Sequence, residues 1–525
     1  MKLDPKRLAP WIGAAASGLL LGAARPPLDL GPLALVALVP LFVAWRGAGP
    51  KRAAALAFVA GVVYYAFLTA WTWFFGAIAI VPLVAALAAY WAATGAVVGA
   101  FATRGLRSPW LTAAIWVLFE AILARFPLGG FSWGEVGYAL HDVALARDVA
   151  GIGGVPLVSY FVVAGSAFLA DLVVRPAAGA AVRALAGLLA LTAAAALAPV
   201  VQADVEPDGV LRVAILQGND KNRDLTATEK AQRYLPNSHF GLASDVQDPV
   251  DLVIFPESSM DEDPRTDDEL GERLARVAQD RDSWVLANAV ADAPENPTEN
   301  ALNLNVLFGP DGEVEGVYAK RHLVPFGERV PFSNLMRGII PILDEEVPRD
   351  FLPGGEPGIF DIAGVEVATV ICFESAFGYE IRPLVQDGAE VIVVSTNNRS
   401  YRRSANSAQH VAIGQMRAAE TARPVVQAAI SGISAFIDAD GDVIAETELF
   451  DRTVLEGTVV AYTGETLYVR FGDWIVGVAL ATVVGCIIAV VVRRRRRQSV
   501  ESDPTVDPKH EDLDRLLQLS LGDQP

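Results

Sequence analysis

The sequence predicts two joined structures: a polytopic α-helical membrane domain of about eight spans and an α/β layered domain outside the membrane. Three observations carry this. Hydrophobic residues make up 52% and charged residues 20% of the 525, and mean hydropathy is +0.35, high for a wholly soluble chain. Apolar runs near the length needed to cross a ~30 Å hydrocarbon core recur through the first 200 residues. The charge is also divided. Residues 1–200 carry 13 Lys+Arg against 7 Asp+Glu, a net of +6, so a chain total of −19 leaves −25 for residues 201–525. That acidity excludes a nucleic-acid binder, which needs a basic face for phosphates. Two cysteines exclude a disulfide scaffold or a Cys-rich metal site, and five histidines with no close pair give no His-based metal site.

The spans are expected near 8–24, 31–46, 53–75, 77–102, 109–125, 152–174 and 179–201, with an eighth at 474–492. The first is not read as a cleaved signal peptide, because a second apolar run follows almost at once. Gly13-Ala14-Ala15-Ala16 suits close helix packing in lipid, and Trp and Tyr residues here read as interfacial anchors. Glu120 lies inside the fifth span, either as a functional group or paired with Arg125.

Orientation follows from Lys and Arg. Lys2, Lys6 and Arg7 precede the first span, Arg46, Lys51 and Arg52 follow the second, and Arg104 and Arg107 follow the fourth. Arg175 and Arg183 flank the six–seven turn, and Arg493 to Arg497 close the eighth. With eight spans all of these share one side, which the positive-inside rule makes cytoplasmic. The expected order is a bundle at 1–201, an extracytoplasmic domain at 202–473, the last span, and a cytoplasmic tail at 493–525, basic and then acidic. That tail reads as disordered apart from a turn of helix at Leu513–Leu519.

Within 211–470, short β-branched runs alternate with helical stretches, the pattern of an α/β layer fold. Strands are expected at Arg212–Gln217, Leu252–Phe255, Trp284–Ala289, Asn303–Phe308, Val314–Tyr318, Val365–Ile371, Val391–Ser395, Val425–Ala429 and Ser434–Ile437. Helices are expected at 264–281, 375–387 and 404–422. Gly309-Pro-Asp-Gly312 and Asp438-Ala-Asp-Gly441 read as hairpin turns.

Three strand ends carry unusual chemistry. Val253-Ile-Phe-Pro256-Glu257 is a buried-type strand, a proline to stop it, and a carboxylate where open α/β sheets keep functional groups. Tyr318-Ala-Lys320-Arg-His322-Leu-Val-Pro325-Phe-Gly327-Glu328 gathers a Lys, a His and a Glu in one loop. Val370-Ile-Cys372-Phe-Glu374 places a thiol at a strand-to-helix junction, where a helix N-terminus lowers its pKa toward thiolate. Free cysteine is ordinarily a small buried hydrophobe, but an unpaired thiol is a liability in an oxidising compartment. The other cysteine, Cys486, lies in the eighth span.

Glu257, Lys320 and Cys372, in this order and these contexts, resemble the Glu–Lys–Cys triad of the nitrilase (carbon–nitrogen hydrolase) superfamily. A longer match, from about residue 8 to 492, resembles the bacterial apolipoprotein N-acyltransferase family. It is carried by the eight-span layout, Lys320-x-His-Leu-Val-Pro-Phe-Gly-Glu328, Trp116…Glu120…Phe126-Pro127…Gly137-Tyr138, Gln409-His410…Arg417-Ala418…Glu420 and Thr463-Gly-Glu-Thr…Gly472-Asp-Trp474.

That resemblance implies an αββα sandwich for 211–470, with its site on the outer face of the cytoplasmic membrane. The implied activity is acyl transfer from a membrane phospholipid to the N-terminal amine of a diacylglyceryl-cysteine apolipoprotein, with no metal or organic cofactor. Ester-to-amine transfer needs a nucleophile that stores the acyl group, and Cys372 suits that role. Glu257 is the proton carrier. Lys320, with the backbone N–H of Phe373, faces the oxyanion. Glu328 and Glu374 are implied as further acidic residues that orient Lys320 and the Cys372 loop. Two positions depart from the family: Phe373 stands where many relatives have Tyr, and Thr396-Asn397-Asn398-Arg399-Ser400-Tyr401 replaces an Asp and a Trp-Phe-Gly run. The rival readings are a membrane-anchored amidase or hydrolase, in which water opens the acyl-enzyme, and a transporter with an external binding domain, which predicts broken helices and midplane charges.

Overall fold

Proline and glycine decide where the apolar runs become helices. In this computed structural model, which describes residues 5–174, 178–201, 205–221, 225–247, 249–341 and 343–501, five helices are long and apolar enough to cross a membrane. They are Pro50–Leu68, Ala77–Ala102, Ala144–Val174, Ala181–Val200 and Trp474–Arg496; Gly31–Ala44 and Pro109–Leu123 are shorter apolar segments. Pro5–Ala23 packs against Pro50–Leu68. The run expected at 31–46 is divided into Ala34–Ala37 and Val39–Ala44, because a proline at 40 clashes with the preceding turn. Ser17 Oγ accepts the N–H of Leu41 at 2.9 Å. The run expected at 53–75 ends as α-helix at Leu68 and tightens to a 3-10 turn, Ala70–Phe75. The helix expected at 152–174 starts earlier, at Ala144, and breaks at Gly153–Gly154, where Gly154 has φ 72°. The last helix runs on through its arginines to Glu501, and Leu513–Leu519 lies outside the described residues.

Close helix packing depends on glycine at two places. A Cβ on Gly18 would stand 2.4 Å from the carbonyl oxygen of Ala60, and one on Gly95 would stand 2.6 Å from that of Ala53. Neither backbone has room to give.

Among the described residues the α/β domain holds thirteen strands: β1 Val205–Gln217, β2 Leu252–Met260, β3 Trp284–Asp292, β4 Asn300–Phe308, β5 Val314–Ala319, β6 Asp350–Phe351, β7 Ile359–Ile362, β8 Val365–Ile371, β9 Val391–Thr396, β10 Val425–Ala429, β11 Ala435–Ile437, β12 Val443–Glu446 and β13 Thr453–Gly464. One sheet runs β13-β1-β2-β3-β4-β5 with β6 beside β4, the other β12-β11-β10-β9-β8-β7. Side-chain alternation divides each sheet into two faces. Val213 and Ile215 of the first sheet meet Val391 and Val393 of the second. Ala214 and Leu216 lie under Tyr234–Ala243 and Asp268–Arg281. Ile392 and Val394 lie under Gly378–Gln386 and Asn406–Thr421. The layers are therefore helix, sheet, sheet, helix.

Both glycine turns close antiparallel hairpins. Gly309 N–H donates to Glu313 O at 2.9 Å before β5, and Asp438 N–H donates to Asp442 O at 3.0 Å before β12. Gly312 and Gly441 supply the φ of 85° those turns need.

The Asn406–Thr421 helix joins the two halves. Val411 and Ala418 face the second sheet, while Ile413 and Met416 enter the core built by the membrane-type helices. Gln409 is the polar lock at this junction. Its Oε1 accepts the indole N–H of Trp133 at 2.8 Å and of Trp71 at 3.2 Å, and its Nε2 donates to Leu68 O and Pro26 O.

Candidate active site

Glu257, Lys320 and Cys372 come from β2 and from the ends of β5 and β8. Pro256 does not end its strand as expected: β2 continues to Met260, with its pairing to β3 broken between Phe255 and Met260. The bulge, with Ser258 at φ 61°, re-aims Glu257 inward. Lys320 leaves β5 with its N–H bonded to Asn303 O at 2.9 Å and its carbonyl accepting from Gly354 N–H at 2.8 Å. Cys372 leaves β8 in the left-handed region, φ 53°, a conformation that costs a non-glycine residue about 1–3 kcal/mol and recurs at functional sites.

The charged groups interlock. Lys320 Nζ donates to Glu328 Oε1 at 2.7 Å and stands 3.6 Å from Glu257 Oε1. Asn303 Nδ2 donates to both carboxylates, at 2.8 Å to Glu257 and 3.2 Å to Glu328. The second oxygen of Glu257 accepts Asn397 N–H at 2.6 Å, and that of Glu328 accepts Val324 N–H at 2.8 Å. Glu374 ties two loops together: it accepts from Ile371 N–H beside the thiol, and from Arg321 N–H and His322 N–H beside the lysine, all within 2.9 Å.

Protonation follows from burial first and neighbours second. Burial lowers the Lys320 pKa, but Glu328 and Glu257 outweigh it and hold the ammonium above its ordinary value. Burial raises Glu257 above the ordinary carboxylate range, with Lys320 opposing and Glu328 adding to the rise. The thiol of Cys372 is pushed up to about 12, by burial and then by Glu257, with Lys320 opposing. This corrects the expectation of a lowered thiol pKa. The segment Cys372–Ala376 is a five-residue 3-10 turn, whose small dipole does not offset desolvation beside two carboxylates. The resting nucleophile is a protonated thiol with Glu257 close enough to shift its titration.

Phe373 presents its ring to the helical half, with ring centroids 6.2 Å from Trp133, 4.9 Å from Phe377 and 5.9 Å from His322. Beneath the thiol, Ser375 Oγ donates to Cys372 O at 2.9 Å and meets His410 Nε2 at 2.8 Å. Burial lowers the His410 pKa to about 4, so it serves as a neutral partner. Glu120 does not pair with Arg125: it accepts from Trp116 Nε1 and Val136 N–H, both at 2.9 Å, while Arg125 meets Asp473 at 2.5 Å. Glu420 accepts the N–H of Val155, freed at the Gly153–Gly154 break, at 2.6 Å. Among the described residues no group of three or more His, Cys, Asp or Glu could hold a metal ion.

Sequence reasoning missed Asn303, Tyr318 as a partner of Glu374, and the Asn397 N–H. The Asn288–Asn303–Asn305 chain across β3 and β4 offered a signal, since amides inside apolar strands must be partnered.

This two-sheet architecture is that of a carbon–nitrogen hydrolase domain. The family model described as Carbon-nitrogen hydrolase matches residues 212–468, and that described as Apolipoprotein N-acyltransferase N-terminal domain matches residues 17–168. An apolipoprotein N-acyltransferase from Nitrosomonas europaea is 30% identical over 509 residues, 92% of this chain and 98% of its own length. One from Geobacter metallireducens is 28% identical over 510 residues, 93% and 96% of the two chains. A CN-hydrolase superfamily protein of known structure from Xanthomonas campestris overlays with a TM-score of 0.37 at 19% identity, over 48% of this chain and 91% of its own. The chain belongs to the apolipoprotein N-acyltransferase family and, as a member, is an acyltransferase.

Proposed function

We propose that the protein moves an acyl chain from a membrane phospholipid to the N-terminal amine of a diacylglyceryl-cysteine lipoprotein, through a thioester on Cys372. The observation that carries this reading is the site's position. Buried Glu257 and Lys320 stand beside the half-buried Cys372, and the ring next to that nucleophile packs on Trp133 of the helical half. Exposed apolar side chains accompany it: Trp73 and Phe74 lie at the junction, beside the Tyr401–Arg402 loop, and Phe332, Leu335 and Ile339 are exposed on the segment that follows the Lys320 loop. Exposed apolar side chains of this kind suit a lipid surface.

Glu257 takes the Cys372 proton as Sγ attacks the ester carbonyl. The oxyanion faces Lys320 and the Phe373 N–H. Collapse breaks the ester C–O bond, and Glu257 returns the proton to the departing alcohol, releasing lysophospholipid. The lipoprotein amine then attacks the thioester and loses a proton to Glu257, and Cys372 recovers its proton as the amide leaves. Glu328 and Glu374 hold the lysine and the thiol loop.

In this reading the chain crosses the membrane eight times, with residues 1–201 and 474–492 as its membrane domain. Residues 202–473 lie outside the cytoplasm and 493–525 inside, as the placement of Lys and Arg favours. Mass spectrometry of a lipoprotein N-terminus from cells with and without the protein tests the function. A third acyl chain that depends on the protein supports it; an N-terminus that is the same in both refutes it.

A further inference from the structure

The loop after β9 holds an arginine in an unusual place. Arg402 has φ 49° and ψ −150°, a backbone region populated almost entirely by glycine. An L-side chain kept there is held against strain. The loop begins at the catalytic cluster, where the Asn397 N–H binds Glu257 at 2.6 Å, and continues through Tyr401, whose ring meets Trp71 at 4.6 Å and Phe75 at 6.0 Å. It then delivers the Arg402 guanidinium to a point 5.2 Å from the ring centroid of Phe74. Trp73, Phe74 and Phe75 are among the exposed large apolar side chains, and Trp is a residue type that sits at headgroup level.

Arg402 and Arg403 are exposed. Among the described residues neither is paired with a carboxylate, although the chain carries 61 Asp+Glu against 42 Lys+Arg. Arg399, three residues nearer the site, is by contrast 3.2 Å from Asp220. A guanidinium resting on an aromatic face keeps its N–H edges free for a fork-like contact with phosphate oxygens.

We infer that Arg402 binds the phosphodiester of the donor phospholipid and so positions its ester for Cys372. The inference rests on the phospholipid-donor reading above and names the group that recognises that donor. The chemistry separates the two substrates: the donor carries a phosphate a few bonds from its scissile ester, whereas the diacylglyceryl-cysteine acceptor carries none. Arg402 therefore acts in the first half-reaction alone.

The test follows acyl-enzyme formation on the full-length protein in mixed micelles, with phosphatidylglycerol or phosphatidylethanolamine as one donor class and p-nitrophenyl palmitate, which has no phosphate, as the other. Arg402→Ala and Arg402→Gly are expected to raise KM for both phospholipids on the order of 10-fold, the scale of one charge-assisted contact, with kcat within about twofold. KM for p-nitrophenyl palmitate and the rate of discharge to a diacylglyceryl-cysteine peptide should stay at wild-type values. Arg402→Lys should recover part of the loss. Arg402→Gly also removes the backbone strain, so its thermal midpoint should match or exceed wild type, which separates lost recognition from lost folding. An unchanged phospholipid KM, or an equal rise with p-nitrophenyl palmitate, overturns the inference while leaving the donor reading intact. Wild-type protein acylated by p-nitrophenyl palmitate but by neither phospholipid overturns both.

Discussion

The hydroxyl of Tyr318 lies 2.8 Å from each carboxylate oxygen of Glu374, so the end of β5 and the turn after β8 share one anchor. The same carboxylate accepts three backbone N–H groups. Each hydrogen bond to a charged group contributes about 1.5–3 kcal/mol. Glu374→Gln keeps the shape but removes the charge and turns one acceptor into a donor facing an N–H. The expected result is a fall in kcat/KM on the order of 10²-fold, mostly in kcat, because the Lys320 and Cys372 loops lose their common support. Tyr318→Phe, which leaves the three N–H contacts in place, should cost about tenfold or less.

A pH profile checks the protonation states. Glu257 must be a carboxylate to accept the thiol proton, and burial raises its pKa. The acid limb of Cys372 acylation should therefore lie above the ordinary glutamate value of about 4.3, activity being lost as pH falls through it. With the thiol at about 12, iodoacetamide should label Cys372 at pH 8 more slowly than an ordinary thiol, whose pKa is near 8.5, and labelling should accelerate as pH rises further. An acid limb at or below 4.3, or fast labelling at pH 7, would contradict the geometry.

Much of this was legible in the sequence and part was not, for identifiable reasons. β2, β3, β8, β9 and β10 are buried on both faces and appear as β-branched runs. β13, which pairs with β1 along nearly its whole length, was missed because Thr453–Gly464 is a half-exposed strand carrying Glu456 and Gly457. β6, β7 and β12 were missed because each has four residues or fewer and is mostly not buried, unlike the equally short but fully buried β11. Glu257, Lys320 and Cys372 stand out through strand-end context and resemblance. The bulge that aims Glu257, and Asn303 joining Glu257 to Glu328, depend on strands distant in sequence lying side by side. The thiol's raised pKa needed the burial and both carboxylates in place.

Burial decides which contacts between the halves matter for stability. Gln409 is buried and satisfies two indole N–H groups and two carbonyls. Gln409→Leu leaves those four groups unpaired at about 1–3 kcal/mol for each that finds no other partner, so the thermal midpoint in detergent should fall by several degrees. Asp473 and Arg125 form an ion pair in which the arginine side chain is 44% exposed, a class worth about 1 kcal/mol or less. Asp473→Asn should shift the midpoint little. Equal shifts for the two variants would contradict this ranking.

Topology has its own test. A reporter active only outside the cytoplasm should work when fused near residue 300 and fail when fused after Arg497. The reverse pattern would overturn the orientation and, with it, access of the site to exported lipoproteins.

Storage of the acyl group on Cys372 is tested most directly by intact-mass measurement of the protein given phospholipid alone. Wild type should gain one acyl mass on Cys372, labile to hydroxylamine. Cys372→Ala should gain none, and Glu257→Gln should gain it very slowly. A diacylglyceryl-cysteine peptide should then discharge the adduct into an amide on that peptide. Release as free fatty acid without the peptide would mark a hydrolase, and activity retained in Cys372→Ala with no adduct in wild type would contradict the covalent mechanism.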